Sequence, residues 1–242
     1  MSYRIYFVSD IHIKGSDDSR ALLFLNFLKN FDPQGTHLFL LGDIFDVWIG
    51  THQVYIDKYN RILDEIRKLV KRGVQIHYFE GNHDFHIRSY WKRELGVQVY
   101  DRPKYFEFDG LNLRVEHGDE SNPDDLAYLR LRKFLRSIPM TLLAKNLRGS
   151  IVQTIGETWS GLSRKGGTYV NEKVKLRARQ YAIEKVSERS FDLIIFGHIH
   201  MRDEFVFEFN GKQHKYVNLG TWLDKPCTYL VTPGEHKFIE LT

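Results

Sequence analysis

One cysteine, Cys227, stands among 242 residues, so no internal disulfide can form and stability must come from the core and from any bound metal. A reducing cytoplasm is the expected compartment. No apolar run approaches the roughly 20 residues that a membrane-spanning helix needs, so the chain is not expected to cross a bilayer. The opening "MSYRIYFVSD" passes straight into a strand pattern, without a basic leader, a long apolar stretch or a small-residue cleavage site. Export is therefore not expected. Low-complexity tracts and internal repeats are missing too. What remains, 42% hydrophobic and 14% aromatic residues, suits a single globular domain over residues 1–242 with a sizeable core.

The net charge of +4 is unevenly placed. Between Ser121 and Ser190, fourteen Lys and Arg stand against six Asp and Glu, a local excess of eight positive charges. Such a face suits an anion, whether nucleic acid, an acidic membrane surface or a phosphorylated substrate. A solvated face of surface helices would carry the same charges.

The hydrophobic pattern alternates between periods. "YRIYFV" reads as a strand, "RALLFLNFLKN" as an amphipathic helix with Leu22, Leu25 and Leu28 on its apolar side, and "THLFLL" as a second buried strand. "IDKYNRILDEIRKLVKRG" places Ile62, Ile66, Leu69 and Val70 at helical spacing and stops at Gly73, ahead of the strand "VQIHYFE". This βαβαβ order predicts a parallel sheet covered by helices. Beyond Tyr100 the grammar is of strand pairs. Asp109-Gly110, Asn210-Gly211 and a Pro-Gly turn each join two strand patterns as a hairpin. Between the first pair and the last two, Leu143, Leu147, Ile151 and Ile155 recur every four residues, with Pro139 suited to a first turn and Ser137 near its cap. The segment about 121–170 is read as a helical insertion, or cap, on one edge of the sheet.

Polar clusters fall where these strands end. "SDIH" follows the first, "GDIFD" the second, "GNHDF" the third, "EHGD" the next, and "GHIH" follows "DLIIF". Strand ends of an open α/β sheet converge on one crevice, so residues far apart in sequence can meet there. Each cluster has an ordinary reading as a cap, a turn or a structural histidine. Together, Asp10, His12, Asp43, Asn82, His117, His198 and His200 supply imidazole, carboxylate and amide donors and no thiolate, which suits Mn, Fe or Zn in a reactive site. One tetrahedral ion cannot use seven donors. Two ions sharing a bridging carboxylate can, and that pair is the clamp for hydrolytic displacement at phosphorus.

In that order and spacing the five clusters resemble the signature of the calcineurin-like metallophosphoesterase superfamily. The resemblance implies an α/β fold, the four-layer αββα sandwich of two mixed β-sheets flanked by helices, here with a helical insertion. It implies that Asp10, His12, Asp43 and His200 hold one divalent ion and that Asp43, Asn82, His117 and His198 hold the other, with Asp43 bridging. His83 of "GNHDF" would contact the phosphate or protonate the leaving group, with Asp84 orienting its ring.

"GDIFDVWIG", "HGDESNPDDLAYLRLR" and the basic "SRKGG" stretch further resemble the UDP-2,3-diacylglucosamine diphosphatase family of lipid A biosynthesis. Members cleave a UDP-linked, doubly acylated sugar to UMP and the acylated sugar 1-phosphate, usually with manganese. The resemblance implies a nucleotide-linked glycolipid as substrate, with Asp125 and Tyr128 near the nucleoside and Arg164 or Lys165 on the sugar-phosphate side. A cationic insertion with apolar faces could bury acyl chains along Leu143, Leu147, Ile151 and Ile155 and rest on the inner membrane face. The same residues could instead pack the insertion onto the domain. One position departs from that family's pattern, because its best-known members carry arginine where this chain has His83. A phosphodiesterase or nuclease would share the metal centre, although stacking aromatics are not concentrated in the insertion. A non-catalytic scaffold would be expected to lose ligands, and here every position is filled.

Overall fold

The computed structural model describes residues 3–165 and 172–242, with the backbone alone for residues 162–165. The chain opens with β1 (Arg4–Val8), α1 (Ser19–Lys29), β2 (Thr36–Leu40), β3 (Trp48–Ile49), α2 (Gln53–Lys58), α3 (Asn60–Lys71) and β4 (Gln75–Phe79). It continues through β5 (Asp84–Phe85), α4 (Arg88–Glu94), β6 (Gln98–Tyr100), β7 (Lys104–Phe108) and β8 (Leu111–Val115). Then come α5 (Leu126–Leu135), α6 (Ile138–Asn146), α7 (Gly149–Lys165) and α8 (Glu172–Glu188). The C-terminal strands are β9 (Leu193–Phe196), β10 (Arg202–Phe209), β11 (Lys212–Leu219), β12 (Cys227–Val231) and β13 (His236–Glu240).

Two mixed sheets form the centre. The first has the order β13-β12-β1-β2-β4-β6 and the second β10-β11-β9-β8-β7. β1, β2, β4 and β6 run parallel, as the βαβαβ pattern predicts. The three turn signals each close an antiparallel hairpin, β7–β8, β10–β11 and β12–β13.

Strand periodicity explains the layering. In β1, Ile5 and Phe7 face the second sheet while Val8 faces the helices; in β9, Leu193 and Ile195 face the first sheet while Ile194 and Phe196 lie under α8. Side chains pointing to both faces are apolar because both faces are covered. α1 and α3 close one outer side with Phe24, Leu28, Ile62 and Ile66, and α8 closes the other with Ala178, Tyr181 and Ala182. The result is a mixed α/β fold with sheets flanked by helices.

Three expectations change. Leu22 lies on the outside of α1, and the buried face is Ala21, Phe24, Leu25 and Leu28. The long helix after Ile56 breaks at Tyr59, which ends α2 and begins α3. The break lets the Tyr59 ring enter the core, where its hydroxyl donates to the carbonyls of Ile13 and Val47, each at 3.2 Å.

The third change concerns the insertion. Pro139 does sit in a first turn behind Ser137, but α6 ends before Leu147 and α7 starts at Gly149, so the four-residue spacing is not one stripe. Leu143, Ile151 and Ile155 are exposed; Val152 and Leu147 pack instead. α7 lies over α2 and over β3, a strand of the small β3–β5 sheet. A Cβ on Gly156 would stand 2.4 Å from Val47, so only glycine permits this approach. The imidazole of His52 donates to the carbonyl of Ala144 at 2.8 Å, fixing α6 beside it.

Candidate metal centre

The ends of β1, β2 and β4 from one sheet and of β8 and β9 from the other meet at a single point. One donor atom from each of Asp10, His12, Asp43 and His200 falls within 4.8 Å of the rest, and the same holds for Asp43, His117 and His198. Asp43 belongs to both groups. Asn82 joins the second, with its Oδ1 lying 3.1 Å from His117 Nε2 and 3.1 Å from His198 Nδ1. Across the site, the Nε2 atoms of His12 and His200 approach to 3.2 Å.

The backbone is bent to achieve this. Asp10, His12, Asp43, His198 and His200 have φ between 51° and 65°, a left-handed conformation that costs non-glycine residues roughly 1–3 kcal/mol each. Strain of this kind persists only where the surroundings impose it. Glycines make room for the turns: a Cβ on Gly197 would meet Asp10 Oδ2 at 2.1 Å, and one on Gly42, at φ +82°, would meet His117 Nδ1 at 2.6 Å. The Gly-X pattern of the motifs thus reflects close approach.

Electrostatics favour a cation at the centre. Asp10 and Asp43 are buried, and among the described residues their charge partners are imidazoles only, with no lysine or arginine. Buried carboxylates need compensating positive charge. Burial pushes the His12 and His198 pKa values down to about 4, which leaves both rings neutral with lone pairs free to coordinate. His117 Nδ1 donates to the Leu41 carbonyl at 2.7 Å. In the neutral ring this fixes Nε2 as an acceptor facing Asn82 Oδ1 and, at 3.7 Å, Asp43 Oδ1. Acceptors converge on acceptors, an arrangement that a divalent cation satisfies directly. Without one, although burial opposes it, the charges of Asp43, Asp119 and Asp10 raise the His117 pKa toward a second proton.

His83 lies beside this cluster, its ring centroid 4.9 Å from that of His12. Its Nδ1 meets the backbone carbonyl of Asp46 at 2.9 Å, which sets the ring orientation. Asp84, expected to orient His83, does other work. Its Oδ1 accepts the N–H groups of Asp43 and Gly81, both at 2.9 Å, and its Oδ2 accepts Ile44 N–H at 2.8 Å and the Tyr78 hydroxyl at 2.5 Å. It is a buried brace beneath the loops after β2 and β4. Burial and the neighbouring Asp43 charge push its pKa up to about 7, against donors that hold both oxygens as acceptors.

Asp125 and Tyr128 do reach the site. Both line an adjoining cavity of about 420 Å³ together with Asn82, His83, His198 and Arg177. Asp125 Oδ1 caps α5 by accepting Tyr128 N–H, and the Tyr128 hydroxyl donates to Asp119 at 3.0 Å. The side chains of Arg164 and Lys165 lie outside the described residues.

Sequence reasoning missed Asp119, Arg132 and Arg136. Arg132 Nε donates to Asp119 at 2.5 Å, and Arg136 donates to Glu80 at 2.9 Å and to the Gly81 carbonyl at 2.8 Å. These bonds anchor α5 to the metal loops. Tyr128, Arg132 and Arg136 recur every four residues, the one signal that they share a helix face.

Similarity to known proteins agrees with this geometry. The sequence profile of the family described as "Calcineurin-like phosphoesterase" matches residues 3–202. The chain belongs to that family. It is a metal-dependent phosphoester or pyrophosphate hydrolase, and its clustered donors are consistent with use of a divalent metal. This phosphoesterase is 28% identical over 241 residues to a UDP-2,3-diacylglucosamine hydrolase of Haemophilus influenzae (strain PittGG), covering 97% of this chain and 98% of the relative. A hydrolase of the same name from Proteus mirabilis is 27% identical, with 97% of each chain covered. A solved archaeal phosphodiesterase, 13% identical, superposes with a TM-score of 0.50 over 98% of this chain and 99% of that one. The latter likeness is one of fold.

Proposed function

We propose that this phosphoesterase hydrolyses UDP-2,3-diacylglucosamine to UMP and 2,3-diacylglucosamine 1-phosphate, using two divalent ions, most suitably manganese. Asp10, His12, Asp43 and His200 would hold one ion; Asp43, Asn82, His117 and His198 would hold the other. When bound, such a pair neutralises phosphoryl oxygens and acidifies a water. The near full-length relatives bearing that enzyme name support the substrate.

The observation that carries the lipid part is an apolar cavity of about 230 Å³ that begins at Asn82 and is lined by Phe85, Leu131, Leu135 and Trp159. A ligand at the metals would have this greasy chamber beside it, with Arg132 and Arg136 at its wall. Acyl chains fit there better than along Leu143, Ile151 and Ile155, which face outward. In this reading His83 keeps Nδ1–H on the Asp46 carbonyl, and Nε2 of its imidazolium form gives its proton to the departing phosphate oxygen. Asp125 and Tyr128 border the nucleoside side, joined by Arg177. Phe134, Ile138 and Leu142, exposed on α5 and α6 near Lys133 and Lys145, provide a face for peripheral contact with the membrane that contains the substrate. No helix among the described residues is long and apolar enough to cross a membrane.

His83 in place of arginine supports a second reading, hydrolysis of another nucleotide diphosphate conjugate, since histidine transfers a proton where arginine only stabilises charge. The deciding assay measures UMP release from the diacylated UDP-sugar and from its deacylated form with manganese. The lipid reading requires a kcat/KM at least about tenfold higher for the acylated substrate. Equal values would leave the hydrolase intact and remove the lipid.

A further inference from the structure

A cavity of about 670 Å³ opens between α4 and α6, outside the metal centre. Its wall carries five cations, Arg88, Lys92, Arg93, Arg136 and Lys145, against two carboxylates, Glu80 and Asp101. Two of the cations are already engaged. Arg136 is bound to Glu80 and to the Gly81 carbonyl, and Arg88 Nε donates to the Val99 carbonyl at 3.2 Å.

The remaining three, Lys145 and, outside the basic segment, Lys92 and Arg93, are not held in this way, whereas several cations of that segment are. Arg132 pairs with Asp119 and Glu120, Arg177 with Glu184, Arg179 with Asp203 and Lys185 with Glu188. The carboxylates that meet Arg132 and Arg179 lie outside Ser121–Ser190 and offset part of its positive excess. Lys92 and Arg93, near the end of α4, and Lys145, at the end of α6, form no side-chain ion pair or hydrogen bond with any described residue, yet they converge on one concavity. Like charges focused in a cleft repel each other and raise its potential for anions. A single carboxylate would leave most of that charge unmatched, whereas a phosphate dianion offers enough charge and several acceptors. Ser89 and Thr141 add hydroxyl donors to the same wall.

We infer that the α4–α6 cavity is a second anion site, which holds a phosphate dianion, free or as a phosphomonoester, on Lys92, Arg93 and Lys145. Arg136 forms its inner wall and ties it to the loop that carries Asn82. The inference concerns binding away from the metals and does not rest on the substrate bound there, while Lys145 is shared with the face proposed for membrane contact.

The test titrates inorganic phosphate into the manganese-loaded protein by calorimetry and compares wild type with the exposed-surface triple variant K92A/R93A/K145A. Thermal unfolding verifies that the variant is folded. Phosphate at the metals contributes equally to both proteins. Wild type is expected to bind one phosphate more per chain, in a class weakened at least about tenfold by the triple substitution. Phosphatidylcholine vesicles with and without phosphatidic acid identify the source. Retention by phosphatidic acid that the triple variant loses assigns the phosphate to a lipid headgroup; phosphate binding without retention assigns a soluble ligand. Equal stoichiometry and affinity in the two proteins overturns the site. So does an equal loss in K29A/K71A/K225A, which removes the same charge elsewhere.

Discussion

Asp84 Oδ1 accepts the backbone N–H of Asp43 at 2.9 Å, joining the loop after β4 to the loop after β2. The same carboxylate holds Gly81, Ile44 and Tyr78, so one buried side chain fixes the spacing between Asp43 and Asn82. Asp84→Asn places an amide donor among those donors. Manganese affinity should fall roughly 10- to 100-fold, as for other residues that support metal ligands, and thermal unfolding should shift down by several degrees. Unchanged metal affinity would show that the loops hold their spacing without it.

His83 touches the cluster but is oriented from the backbone of Asp46. His83→Ala should lower kcat on bis(p-nitrophenyl) phosphate by about 10²- to 10⁴-fold, the usual worth of a positioned acid or base, while metal content stays at the wild-type level. Loss of half the metal would instead make His83 a ligand, a role that its grouping with His12 and Asp46 permits geometrically.

Stability should depend on pH through a residue far from the metals. His77 is stacked on Phe39 in the sheet, and burial, followed by the nearby His37, lowers its pKa from 6.5 to about 4. Between those values the unfolded chain takes up a proton that the folded chain refuses. The contribution is therefore fully present above about pH 6.5 and is lost as pH falls toward 4. His77→Phe should reduce the difference in unfolding free energy between pH 7.5 and pH 4.5 by on the order of 2 kcal/mol. Denaturant melts at both pH values measure it, and an unchanged difference would place the acid sensitivity elsewhere.

The sheets and the donor set were legible in the sequence for the same physical reason. Both-face burial makes β2 and β9 continuous apolar runs, and a donor cluster at strand ends has Asp10, Asp43, Asn82, His117 and His198 just after such runs. Periodicity failed where tertiary contacts decide. Nothing local marks Tyr59 as the break between two helices, because its cause is a hydroxyl reaching Ile13 and Val47 across the core. The stripe from Leu143 to Ile155 was illusory because two helices happen to keep the four-residue spacing across their junction. Asp84 sits next to His83 in sequence but points beneath the loops, because it begins β5 while His83 lies in the bend before it. Arg136 reaches Gly81 from another part of the chain, which no local pattern records.

The two-ion centre stands or falls on Asp43, which belongs to both donor groups. The direct measurement is metal content by elemental analysis of the manganese-reconstituted protein and of folded Asp43→Ala, alongside hydrolysis of bis(p-nitrophenyl) phosphate. Wild type should hold two ions per chain, and the variant should lose activity together with tight binding of both. A single ion in wild type, or full activity in the folded variant, would contradict the shared-carboxylate centre.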